Sequence, residues 1–318
     1  MANIRGFGDI RNEANRGGNG NPGGNPGGDP NPGDSQAIYR LLGFERSDQN
    51  KDPREETFLE MLHYNFCPTL RFKSLTGILV PTLIGIFILS LIVNGVNREG
   101  EFLQVNSGPM YDPFTQNGYK IRVDRQYWRL ITAIFFHLSF THIIMNCISM
   151  LIWGSFIESF LGTRKYAVIY FVSGITGNLL SVMCHNGLYY DSVGASGCIM
   201  GTIGALIGML ILNWLALGEG QYKEARSTLT CIVIILTVFA LLFTLAPTSP
   251  NQSKQIVTDN WAHFGGLLGG FFISMAIGRV FGRSDTTYEK RVRMVGWVLL
   301  AGLVFGTAIP MIAVIPNH

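Results

Sequence analysis

Four polar residues in otherwise apolar segments have types suited to nucleophilic chemistry. Ser196 lies in "GASG", where a polar segment gives way to an apolar run, and His263 lies in "DNWAHFGG". His142 and Asn146 lie four residues apart in "HLSFTHIIMN". A serine nucleophile needs a base to accept its proton, histidine titrates in the required range, and an acyl-transfer oxyanion needs donors such as an asparagine amide or a histidine N–H. The four residues therefore indicate acyl transfer at a serine hydroxyl.

Each of these residues also has an ordinary structural interpretation. A serine in a membrane helix commonly donates to a backbone carbonyl of the preceding turn, and histidine or asparagine can join two helices by a hydrogen bond. The common location of the four residues favours the chemical interpretation, because three predicted helices place the side chains at similar depth on the same side of the membrane. A polar group in hydrocarbon costs free energy unless it faces the bundle interior or water.

The composition predicts an all-α polytopic membrane protein. The chain has 318 residues, of which 47% are hydrophobic and 14% are charged, whereas an average soluble domain has about 25% charged residues. The net charge of +3 is too small to indicate a nucleic-acid partner. The five cysteines lie in or beside apolar segments and form no disulfide framework. The sequence predicts no metal site and no cofactor.

Seven stretches are long and apolar enough, or nearly so, to cross a hydrocarbon core, which takes about 20 residues. They run over 75–95, 134–157, 166–184, 194–215, 228–246, 258–278 and 294–315. The connections are short except for residues 96–129, which end in the aromatic and basic "RQYWRLI". Since long loops are commonly functional or disordered, this ending predicts an ordered element at the membrane interface.

The distribution of lysine and arginine favours a cytoplasmic N-terminus, so the even-numbered helices begin at the outer face. The predicted organisation has four parts. They are a disordered Gly/Asn/Pro-rich tail at 1–35, a juxtamembrane segment with an amphipathic helix at 36–73, a six-helix core at 74–279, and a basic loop with a seventh helix at 280–318. The tail does not resemble a transit peptide, so the secretory pathway or plasma membrane is favoured over mitochondria.

The motifs "GASG", "AHFGG", "HLSFTHIIMN" and "YWR", on these helices and with a long first loop, resemble those of the rhomboid intramembrane serine proteases. The resemblance spans roughly residues 70 to 280, and the seventh helix is similar to the six-plus-one arrangement of the eukaryotic secretase-type branch. It implies Ser196 as nucleophile and His263 as general base of a dyad without an acid. It also implies an oxyanion hole formed by His142, Asn146 and the backbone N–H of Ser196.

The resemblance further implies structural supports around the site. These are Gly194, Gly197, Gly266, Gly270, Trp128, Arg129 and Glu158. The glycines on helices four and six predict close approach of those helices, which brings Ser196 to His263. Asp259 is expected to begin helix six, where the helix dipole favours a carboxylate, and not to act as a triad acid. Met200 occupies the position, four residues after Ser196, where many family members have an aromatic residue. This difference affects the orientation of the histidine or the neighbouring substrate pocket.

The implied function is intramembrane serine endopeptidase activity on single-pass transmembrane proteins, which unwind near the extracytoplasmic face and approach beside helix five. The partners are these substrates and the lipid bilayer. Two alternatives remain. An inactive relative would bind membrane clients for trafficking or degradation, but such relatives commonly lack the serine or the histidine. A transporter or channel would carry other ionisable residues within its spans.

Overall fold

The structure is a computed structural model that describes residues 73–185, 191–218, 223–245, 259–280 and 286–313. The predicted disordered tail at 1–35 lies outside the described residues. The predicted amphipathic helix before the first span lies outside them too.

The described chain is mostly helical. Its first half contains α1 (Leu75–Asn94), β1 (Val96–Asn97), β2 (Gln104–Val105), β3 (Gln116–Asn117), α2 (Gly118–Arg122), α3 (Arg129–Thr132), α4 (Phe140–Ser149) and, after a π-helical turn at Met150–Gly154, α5 (Ser155–Leu161). The second half contains α6 (Thr163–Cys184), β4 (Asp191–Ser192), α7 (Ser196–Leu212), α8 (Lys223–Leu245), α9 (Asn260–Ile277) and α10 (Thr287–Ala313). Short 3-10 turns occupy Ala133–Phe135 and Ala216–Gly218.

A helix lies at each predicted span. Within the described residues, four helical stretches are long and apolar enough to cross a membrane. They are Leu75–Asn94, Phe140–Leu161, Thr163–Cys184 and Thr287–Ala313. Shorter apolar helices accompany them, including Ser196–Leu212. The chain is therefore a multi-pass helical membrane protein.

The predicted start of the second span, residue 134, is wrong. The backbone is extended at Phe136, and α4 begins only after Ser139, whose hydroxyl accepts the N–H of His142 at 3.4 Å. This serine satisfies one of the N–H groups that a helix start leaves without an intrahelical partner. The span then continues past the predicted residue 157 to Leu161 and ends at Gly162, which has a φ of 81°.

Close approach of α7 and α9, predicted from their glycines, is confirmed. A methyl group on Gly266 would overlap the carbonyl oxygen of Gly197, and one on Gly270 would overlap that of Gly201. The backbones of the two helices are therefore in direct contact, which only glycine permits at these positions.

The long loop between α1 and α4 is ordered, as predicted. Strands β1 and β2 pair antiparallel within it. Strand β3 pairs with β4, so that Gln116 is opposite Ser192 and Asn117 is opposite Asp191. Because β4 directly precedes the turn into α7, this pairing attaches the loop to the segment that leads to Ser196. The end of the bundle that carries this loop is called the site end below.

Glu158, near the end of α5, joins three parts of the chain away from the site end. Its carboxylate accepts the N–H groups of Leu75 and Thr76, at 2.6 and 2.9 Å, and the hydroxyl of Thr163 at 2.8 Å. The side chain is 4% exposed. Glu158 therefore caps the first turn of α1 from another helix, as a structural support would.

We predict that Glu158→Ala lowers the stability of the protein. Two backbone N–H groups lose their acceptor, and a buried donor left unsatisfied costs about 1–3 kcal/mol. The midpoint of thermal unfolding in detergent should therefore fall by several degrees. Ser159→Ala, at the adjacent exposed position, is the control. Equal midpoints for the two variants would contradict the prediction.

Candidate active site

Ser196 and His263 form a hydrogen bond at the site end of α7 and α9. The Oγ of Ser196 lies 2.8 Å from the Nε2 of His263. Ser196 is the first residue of α7, and His263 lies in the first turn of α9 with an exposed fraction of 3%. The two groups are thus within the distance at which an imidazole can accept a serine proton.

The turn before Ser196 depends on Gly194. Its φ of +125° lies in a region that side-chain-bearing residues rarely adopt. A Cβ at this position would also lie only 2.7 Å from the Nε2 of His142. Gly194 therefore lets the chain turn into α7 and leaves room for the His142 ring two residues before Ser196.

His142 and Asn146 lie one turn apart on α4, as their spacing predicts. The Nδ2 of Asn146 donates to the carbonyl oxygen of His142 at 2.8 Å. Asn146 is 5% exposed, and its buried Oδ1 has no hydrogen-bond partner among the described residues, nor has the Nδ1 of His142. The backbone N–H groups in the first turn of α7 also lack intrahelical partners. The second hydrogen of the Asn146 amide nitrogen, the His142 ring and the first-turn N–H groups of α7 can therefore donate to a developing oxyanion.

His137 is a further buried histidine whose role the sequence did not indicate. It is 1% exposed, and its Nε2 accepts the backbone N–H of Ala195 at 3.4 Å. Its ring packs edge-on against that of His142, with the centroids 5.0 Å apart. It lies in the extended segment before α4, so the helical spacing of His142 and Asn146 did not reveal it. His137 thus contacts the residue directly before Ser196.

Asp259 is the N-cap of α9, as predicted. Its Oδ1 accepts the N–H of Ala262 at 2.9 Å, and its Oδ2 accepts the hydroxyl of Ser181 at 2.5 Å. Ser181 in turn accepts from the Nε2 of Gln116 at 2.8 Å. Both carboxylate oxygens are therefore engaged by groups other than the His263 ring. Ser181 and Gln116 were missed by the sequence analysis, because residues distant in sequence meet here.

Trp128 and Arg129 hold the long loop and do not lie at Ser196. Arg129 is 2% exposed, and its Nη1 donates to the carbonyl oxygens of Asp112 and Thr115, both at 2.7 Å. Burial lowers the pKa of this guanidinium, and nearby carboxylates oppose that effect. The Nε1 of Trp128 donates to the carbonyl oxygen of Pro113 at 3.3 Å. Both residues therefore fix loop backbone.

Met200 lies one turn after Ser196 on α7. It is 6% exposed and belongs to the main apolar core.

Among the described residues, no group of three or more His, Cys, Asp or Glu side chains is arranged to hold a metal ion.

Comparison with known proteins relates the chain to one family. A family profile described as "Rhomboid domain" matches residues 124–280. "RHOMBOID-like protein 5" of Arabidopsis thaliana is 33% identical over 150 residues, which cover 47% of this chain and 44% of the relative. "Putative rhomboid protease YdcA" of Bacillus subtilis (strain 168) is 32% identical over 161 residues, which cover 50% of this chain and 72% of the relative.

A relative that is named as inactive also matches this chain. "Inactive rhomboid protein 1" of Danio rerio is 33% identical over 190 residues, which cover 57% of this chain and 20% of the relative. The chain therefore spans less than half the length of this protein and of the Arabidopsis relative. The relatives include proteins named as proteases and one named as inactive.

We predict that Asp259→Ala destabilises the protein more than Asp259→Asn. Alanine removes the cap of α9 and the acceptor of Ser181, and loss of an N-cap alone costs about 1 kcal/mol. Asparagine retains an oxygen that can accept the Ala262 N–H. Thermal unfolding in detergent should rank the midpoints as wild type, then Asn, then Ala.

Asp124→Ala is the matched control, because Asp124 is an exposed carboxylate of the long loop. A midpoint for Asp259→Ala equal to that of this control would show that the cap contributes nothing.

Proposed function

The chain belongs to the rhomboid family of membrane proteins, and from that premise we propose that it is an intramembrane serine endopeptidase. Its substrates are single-pass membrane proteins, cleaved in their transmembrane segments near the extracytoplasmic face. The observation that carries the proposal is the 2.8 Å hydrogen bond between Ser196 Oγ and His263 Nε2. A serine hydroxyl paired with a buried imidazole at two helix starts fits nucleophilic catalysis better than helix packing alone.

The proposed reaction begins when the Oγ of Ser196 attacks the scissile carbonyl carbon. The Nε2 of His263 accepts the hydroxyl proton and then delivers it to the leaving amine as the acyl-enzyme forms. A water molecule, deprotonated by the same nitrogen, attacks the acyl-enzyme and releases the second product. The imidazolium then gives the proton taken from water to the Oγ of Ser196 as the acyl bond breaks, which restores the enzyme, so no other acid or base is required.

Three donors stabilise the oxyanion in this proposal. They are the backbone N–H of Ser196, the ring of His142 and the side-chain amide of Asn146. The position of Ser196 at the start of α7 supports the first, because helix N-termini present free N–H groups and a positive dipole end. The short distance between His142 and the Gly194 turn supports the second. The Nδ2 of Asn146 has a second hydrogen beyond the one it donates to the carbonyl oxygen of His142, and this hydrogen supports the third.

Substrate access is proposed beside α8. Leu229, Val233 and Leu236 pack this helix into the core, whereas Ile234 and Ile235 are exposed on its other side. α8 carries none of the proposed site residues, so it can move without disturbing Ser196 or His263. A transmembrane segment that unwinds near the outer end of α7 would then expose its backbone to Ser196.

The proposal also covers the arrangement of the helices, the side of the membrane on which the N-terminus lies, and the membrane that holds the protein. We infer a six-plus-one arrangement of the secretase type, with core 74–279 followed by the seventh helix in 280–318. In this proposal the protein lies in a membrane of the secretory pathway or in the plasma membrane, and the tail at 1–35 and the segment at 36–73 are cytoplasmic. The helix α10 at the C-terminal side of α9 supports this arrangement.

A second candidate function is the binding of membrane clients by a catalytically inactive rhomboid. The similarity to a relative named as inactive supports this alternative. The presence of both Ser196 and His263 in hydrogen-bond contact favours the protease.

We predict that Ser196→Ala and His263→Ala each reduce cleavage of a single-pass test substrate by at least about 10³-fold, because members of a catalytic unit act together. The assay uses proteoliposomes with matched amounts of folded enzyme. Ser159→Ala, a serine exposed on α5, should cleave like wild type. Cleavage that survives either site variant would disprove the dyad, and no wild-type cleavage across several substrates would favour the client-binding function.

We predict that Asn146→Ala lowers kcat by about 10²–10³-fold, since removal of one oxyanion donor costs roughly 2.7–4 kcal/mol in the transition state. KM should change little, because the donor acts on charge that develops only during the reaction. Met145→Ala changes the neighbouring exposed residue of α4 and should retain wild-type kcat. A loss confined to KM would place Asn146 in substrate binding instead.

A further inference from the structure

The last helix, α10, is bound to the end of α9 that lies away from the site. The guanidinium of Arg293 donates to the carbonyl oxygens of Ala276 and Gly278, at 2.9 and 3.2 Å. Glu289, one turn earlier on α10, forms a salt bridge with Arg293 at 2.8 Å. Carbonyl groups in the last turn of a helix lack intrahelical partners, and a cation there also favours the helix dipole. Arg293 therefore caps the C-terminus of the helix that carries His263.

Further along, α10 touches the backbone of α9 through Gly296. A Cβ at Gly296 would lie 2.8 Å from the backbone N of Ala276, from the Cβ of Met275 and from the carbonyl oxygen of Phe272. Separations that short do not occur between real atoms of these types, so a side chain here would push the helices apart. Gly302 and Gly306, on the same helix, have open space where a Cβ would lie.

At the site end, α10 contacts the long loop. Met311 is 3% exposed and packs in a separate apolar cluster with Ile121, Leu130, Leu179 and Val182, which come from α2, α3 and α6. The guanidinium of Arg125, in the long loop, donates to the carbonyl oxygen of Ile312 at 3.2 Å. One helix thus joins the C-terminus of α9 to the long loop, whose strand β3 pairs with β4 just before the turn to Ser196.

The position of α9 is sensitive to such a contact. α9 meets α7 at Gly266 and Gly270, and meets α6 at Gly265, where backbone lies against backbone. The Oγ1 of Thr176 on α6 also donates to the carbonyl oxygen of Gly265 at 3.1 Å. Because misplacement of a catalytic group by about 1 Å can cost 10²-fold in rate, a third neighbour that fixes α9 would affect the Ser196–His263 distance directly.

We propose that α10 is a positioning element for the histidine helix, and that Gly296 is the residue that sets the spacing between α10 and α9. The proposal rests on the proposed protease function. Gly296 contacts neither Ser196 nor substrate in this scheme and acts only through α9. The seventh helix is then part of the machinery that aligns the dyad, and not merely an additional membrane anchor.

The experiment compares Gly296→Leu with Gly302→Leu and Gly306→Leu, which add the same side chain to the same helix. Each full-length variant is reconstituted in proteoliposomes and assayed at a temperature well below its measured unfolding midpoint. We expect kcat for the single-pass test substrate to fall at least tenfold in Gly296→Leu, with KM unchanged within twofold. Wild-type kcat is expected for the two control variants.

A second set of three variants covers the case in which Gly296→Leu does not fold. Arg293→Gln removes the α10 guanidinium from the end of α9, where the Lys165 ammonium of α6 still donates to the carbonyl oxygen of Gly278 at 3.3 Å. Arg293→Lys retains a cation from α10, and Arg291→Gln changes an exposed neighbouring arginine. We expect reduced kcat in Arg293→Gln, partial recovery in Arg293→Lys and no change in Arg291→Gln. Labelling of Ser196 by a fluorophosphonate, which requires an activated serine, should follow the same order.

The outcomes distinguish the positioning role of α10 from the protease function. Unchanged kcat in folded Gly296→Leu and Arg293→Gln would overturn the role of α10 and leave the protease function intact. A lower unfolding midpoint with unchanged kcat would do the same, because it would show packing without positioning. Absence of Ser196-dependent cleavage by the wild type would overturn the protease function and this proposal together.

Discussion

Direct backbone contact between α7 and α9 is the constraint on which the candidate site depends. A serine side chain is short, so its hydroxyl can reach an imidazole on another helix only if the two helix axes are close. Gly266 against Gly197 and Gly270 against Gly201 provide that approach. In a bilayer, dispersion contacts and hydrogen bonds hold helices together in place of the hydrophobic effect. The glycines therefore serve association and chemistry at once.

The second requirement is that the backbone groups at helix ends find partners. Helix ends leave backbone N–H and C=O groups without intrahelical partners, and those buried within the protein need acceptors or donors from elsewhere in the chain. Glu158 supplies them for α1 and Asp259 for α9, while the Nη2 of Arg122 donates to the last carbonyls of α6 at Val182 and Met183. Arg122 and Gln116 come from the long loop, and this fixes the loop to the helices. Through the β3–β4 pair, the same loop then supports the turn at Gly194.

Hydropathy and residue type were sufficient to predict the helices and the polar residues that meet. Ser196 and His263 stood out because each begins an apolar segment, and the glycine spacing indicated which helices would touch. The start of α4 was not predictable in this way, because the extended residues before Ser139 lie within a largely apolar run.

The Asp259–Ser181–Gln116 chain escaped prediction for another reason. It joins residues 78 and 65 positions apart, and no local spacing encodes such contacts. Gly296 presents the same difficulty, because in sequence it resembles Gly302 and Gly306. Only packing shows that a side chain at Gly296 would collide with α9.

The helix α9 is held both along its length and at its ends. Along its length it presents glycine backbone to α7 and α6, and the Oγ1 of Thr176 donates to the carbonyl oxygen of Gly265 at 3.1 Å. Polar contacts at the termini add to this packing, with Asp259 at one end and the Arg293 guanidinium and Lys165 ammonium at the other. Charges cost least free energy near the membrane surfaces, where headgroups and water can solvate them. Backbone packing therefore holds α9 where it carries the Ser196–His263 contact, and charged side chains hold it where the bundle meets the membrane surfaces.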